Sequence, residues 1–482
     1  MFGGEAGRAK YRRQPNPVFR CETFETHVAS QHGRSIVVPM SEASKLSSAQ
    51  DLLEFIDACP TPYHAVAHVA ARLTAAGFSE LDERDAWSIE PGAKHYVVKG
   101  GGTIVAFIAG TGAPEETGFL LLGAHTDSPN LRVKPVADVT ASGHRQLAVE
   151  VYGGVLWSTW LDRDLSLAGR VTGRDGQTRL LRFDRPMLRI PNVAIHLNRE
   201  VNSAGLQLNA QNHLMPLSAL DGKADNTKLS VLVAEHLCAN GDQLKSEDIT
   251  GYDLCLHDTQ PAAIGGARDE LIFAPRLDNL ASCHAAIQAL LAAGDSSPVT
   301  RVVALYDHEE VGSQSAAGAR SRFLSSVLER LSVAPKSASR EAPARARARS
   351  LLVSADMAHA LHPNYSEKHD KVNAPKLGRG PVIKVNANQS YATDGPSEAW
   401  FEGLCRELDI KTQRFVSRND QPCGSTIGPI SAAMLGLRSI DIGNPMHSMH
   451  SCREGAAVAD VQPMIAAMAA LLMSKNVPAP RD

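Results

Sequence analysis

Asp307-His308-Glu309-Glu310 sets four ionisable side chains in a row, directly after an apolar run and directly before Val311-Gly312. Charges packed at that density repel in a partly buried site, so the arrangement asks for cations. Four other segments share its character. His125-Thr126-Asp127-Ser128-Pro129 follows an apolar run, and its His-x-Asp spacing suits one metal ligand plus a carboxylate that orients the ligand ring or bridges onward. Pro275-Arg276-Leu277-Asp278-Asn279 puts an acid at a strand-to-helix junction, where a plain helix N-cap is the competing reading. Ser354-Ala355-Asp356-Met357-Ala358-His359 ends another apolar run, and Met446-His447-Ser448-Met449-His450-Ser451 offers two imidazoles beside a Gly443-Asn444-Pro445 turn. Each segment alone says little, because most acids and histidines are not ligands. As a set, carboxylates with imidazoles and no cysteine make a hard, oxygen-rich site suited to two divalent metals. Metal pairs about 3.5–4 Å apart serve hydrolysis, acidifying a bridging water whose proton a spare carboxylate accepts. Neither a Gly-x-Ser-x-Gly elbow nor a Gly-x-x-x-x-Gly-Lys loop is present, so the chemistry needs no serine nucleophile and no phosphate cradle.

The elements that must position these residues can be read from periodicity. Leu52, Leu53, Phe55 and Ile56, then Ala65, Val66, Val69 and Leu73, fall at helical spacing from Ser48 onward, with Pro60-Thr61-Pro62 between the two groups. Tyr96–Val98, Thr103–Ile108 and Gly118–Gly123 read as strands punctuated by glycine clusters. The texture then changes. Val149–Trp157, Ser166–Val171 and Arg179–Phe183 are strand-like with glycine turns, and a polar stretch, Asn198–Asn212, follows. From Tyr252 strands and helices alternate again: Asp253–His257, a helix over Asn279–Ala293, a strand over Arg301–Tyr306, a helix after Gly312 and a strand over Leu351–Ser354. This pattern predicts an α/β fold: a mixed, mostly parallel sheet covered by helices on both faces, interrupted by an inserted β-rich domain. The expected division is an N-terminal arm (1–47), disordered or preceding a true start at Met40, a catalytic domain in two pieces (48–135 and 251–482) and an inserted oligomerisation domain (136–250). Ser332–Ser350, rich in Ala, Arg, Ser and Pro, reads as a solvated loop rather than a nucleic-acid patch, and Gly378-Arg379-Gly380 as a turn. Arg418–Gly428 reads either as a loop offering backbone donors to a substrate or as a turn opening a helix over Ile430–Leu435.

Composition narrows the classes. The 482 residues carry 49 Lys and Arg against 52 Asp and Glu, a formal charge of -3 that gives no reason to expect nucleic acid or a membrane surface as partner. No run approaches the roughly 18 apolar residues of a membrane-spanning helix. Eight cysteines without a Cys-x-x-Cys pair suit a reducing, cytoplasmic compartment.

The five segments, in this order, resemble those of the aspartyl aminopeptidases, cytosolic metallopeptidases with a cocatalytic zinc pair, and the similarity runs from about Ser48 to about Met473. The resemblance implies that His125, Asp278, Glu310, Asp356 and His450 bind two divalent metal ions, zinc, with Asp278 bridging. It implies Glu309 as general base and Asp127 behind His125. His450 is preferred to His447 because the following Ser451-Cys452-Arg453-Glu454 matches the family better. A cis peptide between Asp278 and Asn279 is implied as well. Further, Lys384 matches a position that pairs with the carboxylate of an acidic N-terminal substrate residue, Asp or Glu, and His196 one delivered from a neighbouring subunit. A homo-oligomer, a dodecamer built from dimers with its sites facing an interior chamber, is the implied assembly. For the two peripheral residues the competing readings are an exposed edge-strand lysine and a core histidine.

Overall fold

The computed structural model describes residues 42–221, 228–333 and 339–478. The proposed N-terminal arm lies outside the described residues, save for its last six positions. Those belong to a helix, Glu42–Ala58, which begins before the expected Ser48. A second helix, Pro62–Ala75, starts where Thr61 caps the His64 amide and Pro62, with no N–H to satisfy, occupies the first turn.

Nine strands form the main sheet, and its centre is parallel. Thr300–Tyr306 lies beside Phe119–His125, which lies beside Leu351–Ala355, then Arg438–Gly443. The first three are buried along their whole length, which is why the sequence shows continuous apolar runs there rather than alternation. Within each run successive side chains still go to opposite faces. Leu120, Leu122 and Ala124 pack with the helices Glu42–Ala58, Leu277–Ala292 and Val458–Met473, while Phe119 and Leu121 pack with Phe323–Ser332 and Ile427–Leu435. Burial of each leucine contributes roughly 1.5–3 kcal/mol. A charge at Leu122, which is fully buried, would therefore break the contact with the helix that carries Asp278. Antiparallel strands at both sides, Lys94–Lys99 with Thr103–Ile108 and Val382–Lys384 against Arg438–Gly443, make the sheet mixed as expected.

A separate six-stranded antiparallel sheet, with its own apolar core around Leu131, Leu167, Leu188 and Leu256, accounts for the β-rich stretch. Its strands extend from Asn130–Ala141 to Ile249–Asp258. The first hairpin closes through Ser142 and Gly143, both at positive φ (52° and 74°), the backbone that a two-residue turn needs to match strand twist. The Asn-rich stretch holds only short helices, Val201–Ala204 and Ala210–His213. In the Arg-rich stretch, Ala342–Ala348 forms a helix rather than a loop, with Ala342 and Ala346 buried and its arginines partly or fully exposed. Among the described residues no helix is long and apolar enough to cross a membrane.

Candidate metal centre

Three neighbouring parallel strands end level with one another, and three of the acidic segments begin there. Tyr306 is in register with His125, so His125 and the turn after Tyr306 stand side by side, with Asp356 one strand further on. The carboxyl ends of such strands are where open α/β sheets place ligands. His308, at φ 65°, turns the chain sharply, and Glu309 and Glu310 follow in a single turn of 3-10 helix. Asp278 enters from the start of Leu277–Ala292, next to a cis peptide with Asn279. His450 comes from a loop in which Ser448 and His450 both have positive φ.

Of three groups of possible ligands among the described residues, one joins His125, Glu309 and Glu310, and the other two share Asp278. His125, Asp278 and Asp356 form the first of these two, Asp278, Glu310 and His450 the second, with the donor atoms of each within 4.8 Å of one another. His125 Nε2 is 3.4 Å from Asp278 Oδ1 and 3.5 Å from Asp356 Oδ1. His450 Nε2 is 3.4 Å from Asp278 Oδ2 and 3.4 Å from Glu310 Oε2. These separations are long for hydrogen bonds, but two ligands each about 2.0–2.1 Å from a tetrahedral zinc are themselves about 3.3–3.4 Å apart. Moreover, Asp278 Oδ1, Asp356 Oδ1 and Glu310 Oε1 are buried without a hydrogen-bond partner. Orphaned carboxylate oxygens are costly to bury, and cations at both positions would satisfy them. The donor set therefore fits two divalent ions.

Both imidazoles are turned by the far side of the ring. His125 Nδ1 meets the Asp127 carbonyl at 3.0 Å and His450 Nδ1 the Gly154 carbonyl at 3.1 Å, leaving each Nε2 to face the carboxylates. The Asp127 carboxylate, 3.5 Å from His125 Nδ1, has a closer task. It accepts the amides of Glu309 and Glu310, each at 3.1 Å, and the Tyr152 hydroxyl at 2.7 Å. Burial and the charges of Asp356, Asp127 and Asp278 push Glu309 up to about 7, against the pull of His125. Burial and Asp278 push Glu310 well above the carboxylate range. Burial opposes a charged His125, yet Asp127, Asp278 and Asp356 outweigh it and raise its proton affinity. Metal binding would displace that proton.

The structure leaves His447 out of this cluster. Its Nε2 faces the Leu361 carbonyl at 3.1 Å and its ring lies beside His362. His359 is exposed and packs edge-on against Phe415. Lys384 is neither exposed nor on an edge strand: its strand lies between Gln413–Phe415 and Arg438–Gly443, and its Nζ, buried, is 3.2 Å from Asp356 Oδ2 and 5.3 Å from the Tyr391 ring centre. His196 is in none of the possible ligand groups, and every residue from 191 to 200 is exposed, which removes the core-histidine reading. Sequence reasoning passed over Tyr152 and Gly153-Gly154, assigned to a strand through Trp157. The strand ends at Tyr152, and a Cβ on Gly153 would come within 3.1 Å of Glu310, one on Gly154 within 3.0 Å of His450. Two adjacent glycines inside an alternating pattern were the available sign of a close backbone approach.

With this geometry in hand, comparison with known proteins is decisive. The model of the aminopeptidase I zinc metalloprotease (M18) family matches residues 55–471. The chain belongs to that family. A probable M18 family aminopeptidase 2 of Streptomyces coelicolor is 48% identical over 426 residues, covering 88% of this chain and 96% of the relative. Among solved structures, a chain of the Ape4 and Nbr1 complex superposes with a TM-score of 0.85 at 39% identity, over 90% of this chain and 88% of that one. The S. cerevisiae mApe1 dodecamer gives a TM-score of 0.76 at 29% identity, over 88% and 96%. The M18 chain described here is thus an aminopeptidase of the zinc metalloprotease type, and the mixed α/β sheet with its separate antiparallel sheet is the architecture it shares with those neighbours.

Proposed function

We propose that this M18 aminopeptidase removes acidic residues, Asp and Glu, from peptide N-termini, with two zinc ions held by His125, Asp278, Glu310, Asp356 and His450. The observation that carries the specificity is the buried Lys384 ammonium at the rim of the carboxylate cluster. A substrate carboxylate approaching Glu309, Glu310 and Asp356 would be repelled unless a cation met it. When bound, the ions polarise the scissile carbonyl and supply acidified water. Glu309, with proton affinity raised to near neutrality, takes the proton and returns it to the leaving amine. Asp127 and Tyr152 keep Glu309 in place through the amide it donates to the Asp127 carboxylate. A panel of aminoacyl chromogenic substrates tests this: Asp and Glu should exceed Leu and Lys, and a preference for Leu would overturn it. One observation favours a second reading, a neutral aminopeptidase on the same scaffold. Lys384 is already paired with Asp356 and, as a pure counter-ion, would be unavailable to a substrate.

The assembly we infer is a homo-oligomer, a dodecamer built from dimers and joined in part through the antiparallel-sheet domain expected over 136–250; the mApe1 neighbour is itself a dodecamer. The exposed apolar side chains Val193, Ile195 and Leu197 support that role. Seven cysteines among the described residues are all free, in keeping with a cytoplasmic home.

A further inference from the structure

Glu454 stands outside the ligand set, yet its carboxylate lies against two members of it. The side chain is 3% exposed. Oε2 accepts the Asp278 amide at 3.1 Å and Oε1 accepts the His450 amide at 2.8 Å. The two contacts arise from strand pairing. Leu271–Ala274 runs antiparallel to Glu454–Ala457, and Ala274 is in register with Glu454. One chain leaves this pair at Ala274 toward Asp278, and the other enters it at Glu454 from His450, so both ligand loops emerge at the same end.

Each loop holds backbone that a free chain disfavours. Arg276 is at φ 55° and His450 at φ 68°, left-handed values that non-glycine residues keep only where their surroundings enforce them. A carboxylate accepting one amide from each loop supplies such enforcement. Burying another acid beside Asp278 is otherwise unfavourable, and an uncharged residue would pack there at lower cost. Asp278 belongs to two of the three possible ligand groups and His450 to one, so the group of Asp278, Glu310 and His450 has two of its three members fixed by this one side chain.

We propose that Glu454 is a positioning residue for the metal centre, clasping the backbones of Asp278 and His450 so that the site they share with Glu310 is formed before metal enters. This rests on the metal-pair reading above.

The test is zinc binding by the full chain, measured by competition with a chromophoric chelator, for wild type, Glu454→Gln and Glu454→Asp. Glutamine keeps the shape but turns an NH₂ toward one of the two amides, and aspartate keeps the charge but cannot span both. Wild type should bind two zinc ions. Either variant should hold one of them 10–100-fold more weakly, the scale on which outer partners of metal ligands act, and the absorption spectrum of the cobalt-substituted protein should change. Leu472→Ala, a cavity in the same domain's core, should lower thermal stability and leave both zinc affinities unchanged. Wild-type affinities in a folded Glu454→Gln or Glu454→Asp protein would overturn the proposal alone, as would equal weakening by Leu472→Ala. A wild type that binds fewer than two zinc ions would overturn the metal-pair reading and this proposal with it.

Discussion

Lys384 Nζ lies 3.2 Å from Asp356 Oδ2, with the lysine 2% and the aspartate 8% exposed. The strand of Lys384 and the strand that ends just before Asp356 flank Arg438–Gly443 on either side, and the pair joins the proposed specificity residue to a proposed ligand. Lys384→Ala removes both the charge offered to an acidic substrate and the counter-ion of Asp356. The second loss falls on every substrate; the first falls on Asp and Glu alone. The ratio of kcat/KM for Asp over Leu substrates should therefore drop by an amount of order 2–5 kcal/mol, that of a buried carboxylate left unpaired. An unchanged ratio, with both substrates equally slowed, assigns Lys384 to Asp356 only.

Glu309→Gln should keep both metals and lose about 10²–10⁴ in kcat, the usual worth of a positioned general base. The Glu309 amide is held by the Asp127 carboxylate, so the turn does not depend on the Glu309 side chain. The variant should accordingly retain wild-type zinc stoichiometry by elemental analysis. Near-normal turnover would remove Glu309 from the mechanism.

Much of this arrangement was legible in the chain. The central strands are buried on both faces, so Phe119–His125, Thr300–Tyr306 and Leu351–Ala355 announce themselves as apolar runs, and the acids that follow them stand out. Local turn chemistry was less visible. The helix expected from Ile430 begins at Ile427, since Thr426 caps the Gly428 amide. The contacts of Asp127 with Glu309, Gly154 with His450 and Glu454 with Asp278 join residues more than a hundred positions apart, and only the fold brings them together. One sequence without its fold carries no such proximity.

Chelation should abolish activity and also expose a pH dependence that the metals conceal. In the metal-free protein Glu309 keeps its proton up to about 7, against an ordinary value of 4.5. The folded state then binds more protons than the unfolded state between those values, so stability falls as pH rises through that window. The contribution reaches at most about 3 kcal/mol by pH 8, at 1.36 kcal/mol per pKa unit. Metal-free wild type should lose stability relative to metal-free Glu309→Gln between pH 5 and 8 (about the span of that titration), measured by urea unfolding. Parallel curves would show that Glu309 is not held protonated by its neighbours.

His196 lies on a stretch where all residues from 191 to 200 are exposed, including Leu197 at 84% and Val193 at 57%. Apolar surface of that extent is unfavourable in water, and the proposed assembly would cover it. Among the described residues no member of a possible ligand group comes from that stretch, so the proposed role for His196 is one played in a second subunit's site. His196→Ala should keep thermal stability and zinc content, because the side chain touches neither core nor ligands here, but should lose kcat in the assembled protein. The decisive measurement mixes two inactive proteins. His196→Ala subunits retain Glu309, and Glu309→Gln subunits retain His196. After dissociation and reassembly, mixed pairs contain one site with both residues intact. Random pairing in a two-fold interface regenerates about a quarter of the sites, and activity should recover to that level. No recovery from the mixture, or full activity in His196→Ala alone, would show that each subunit completes its own site.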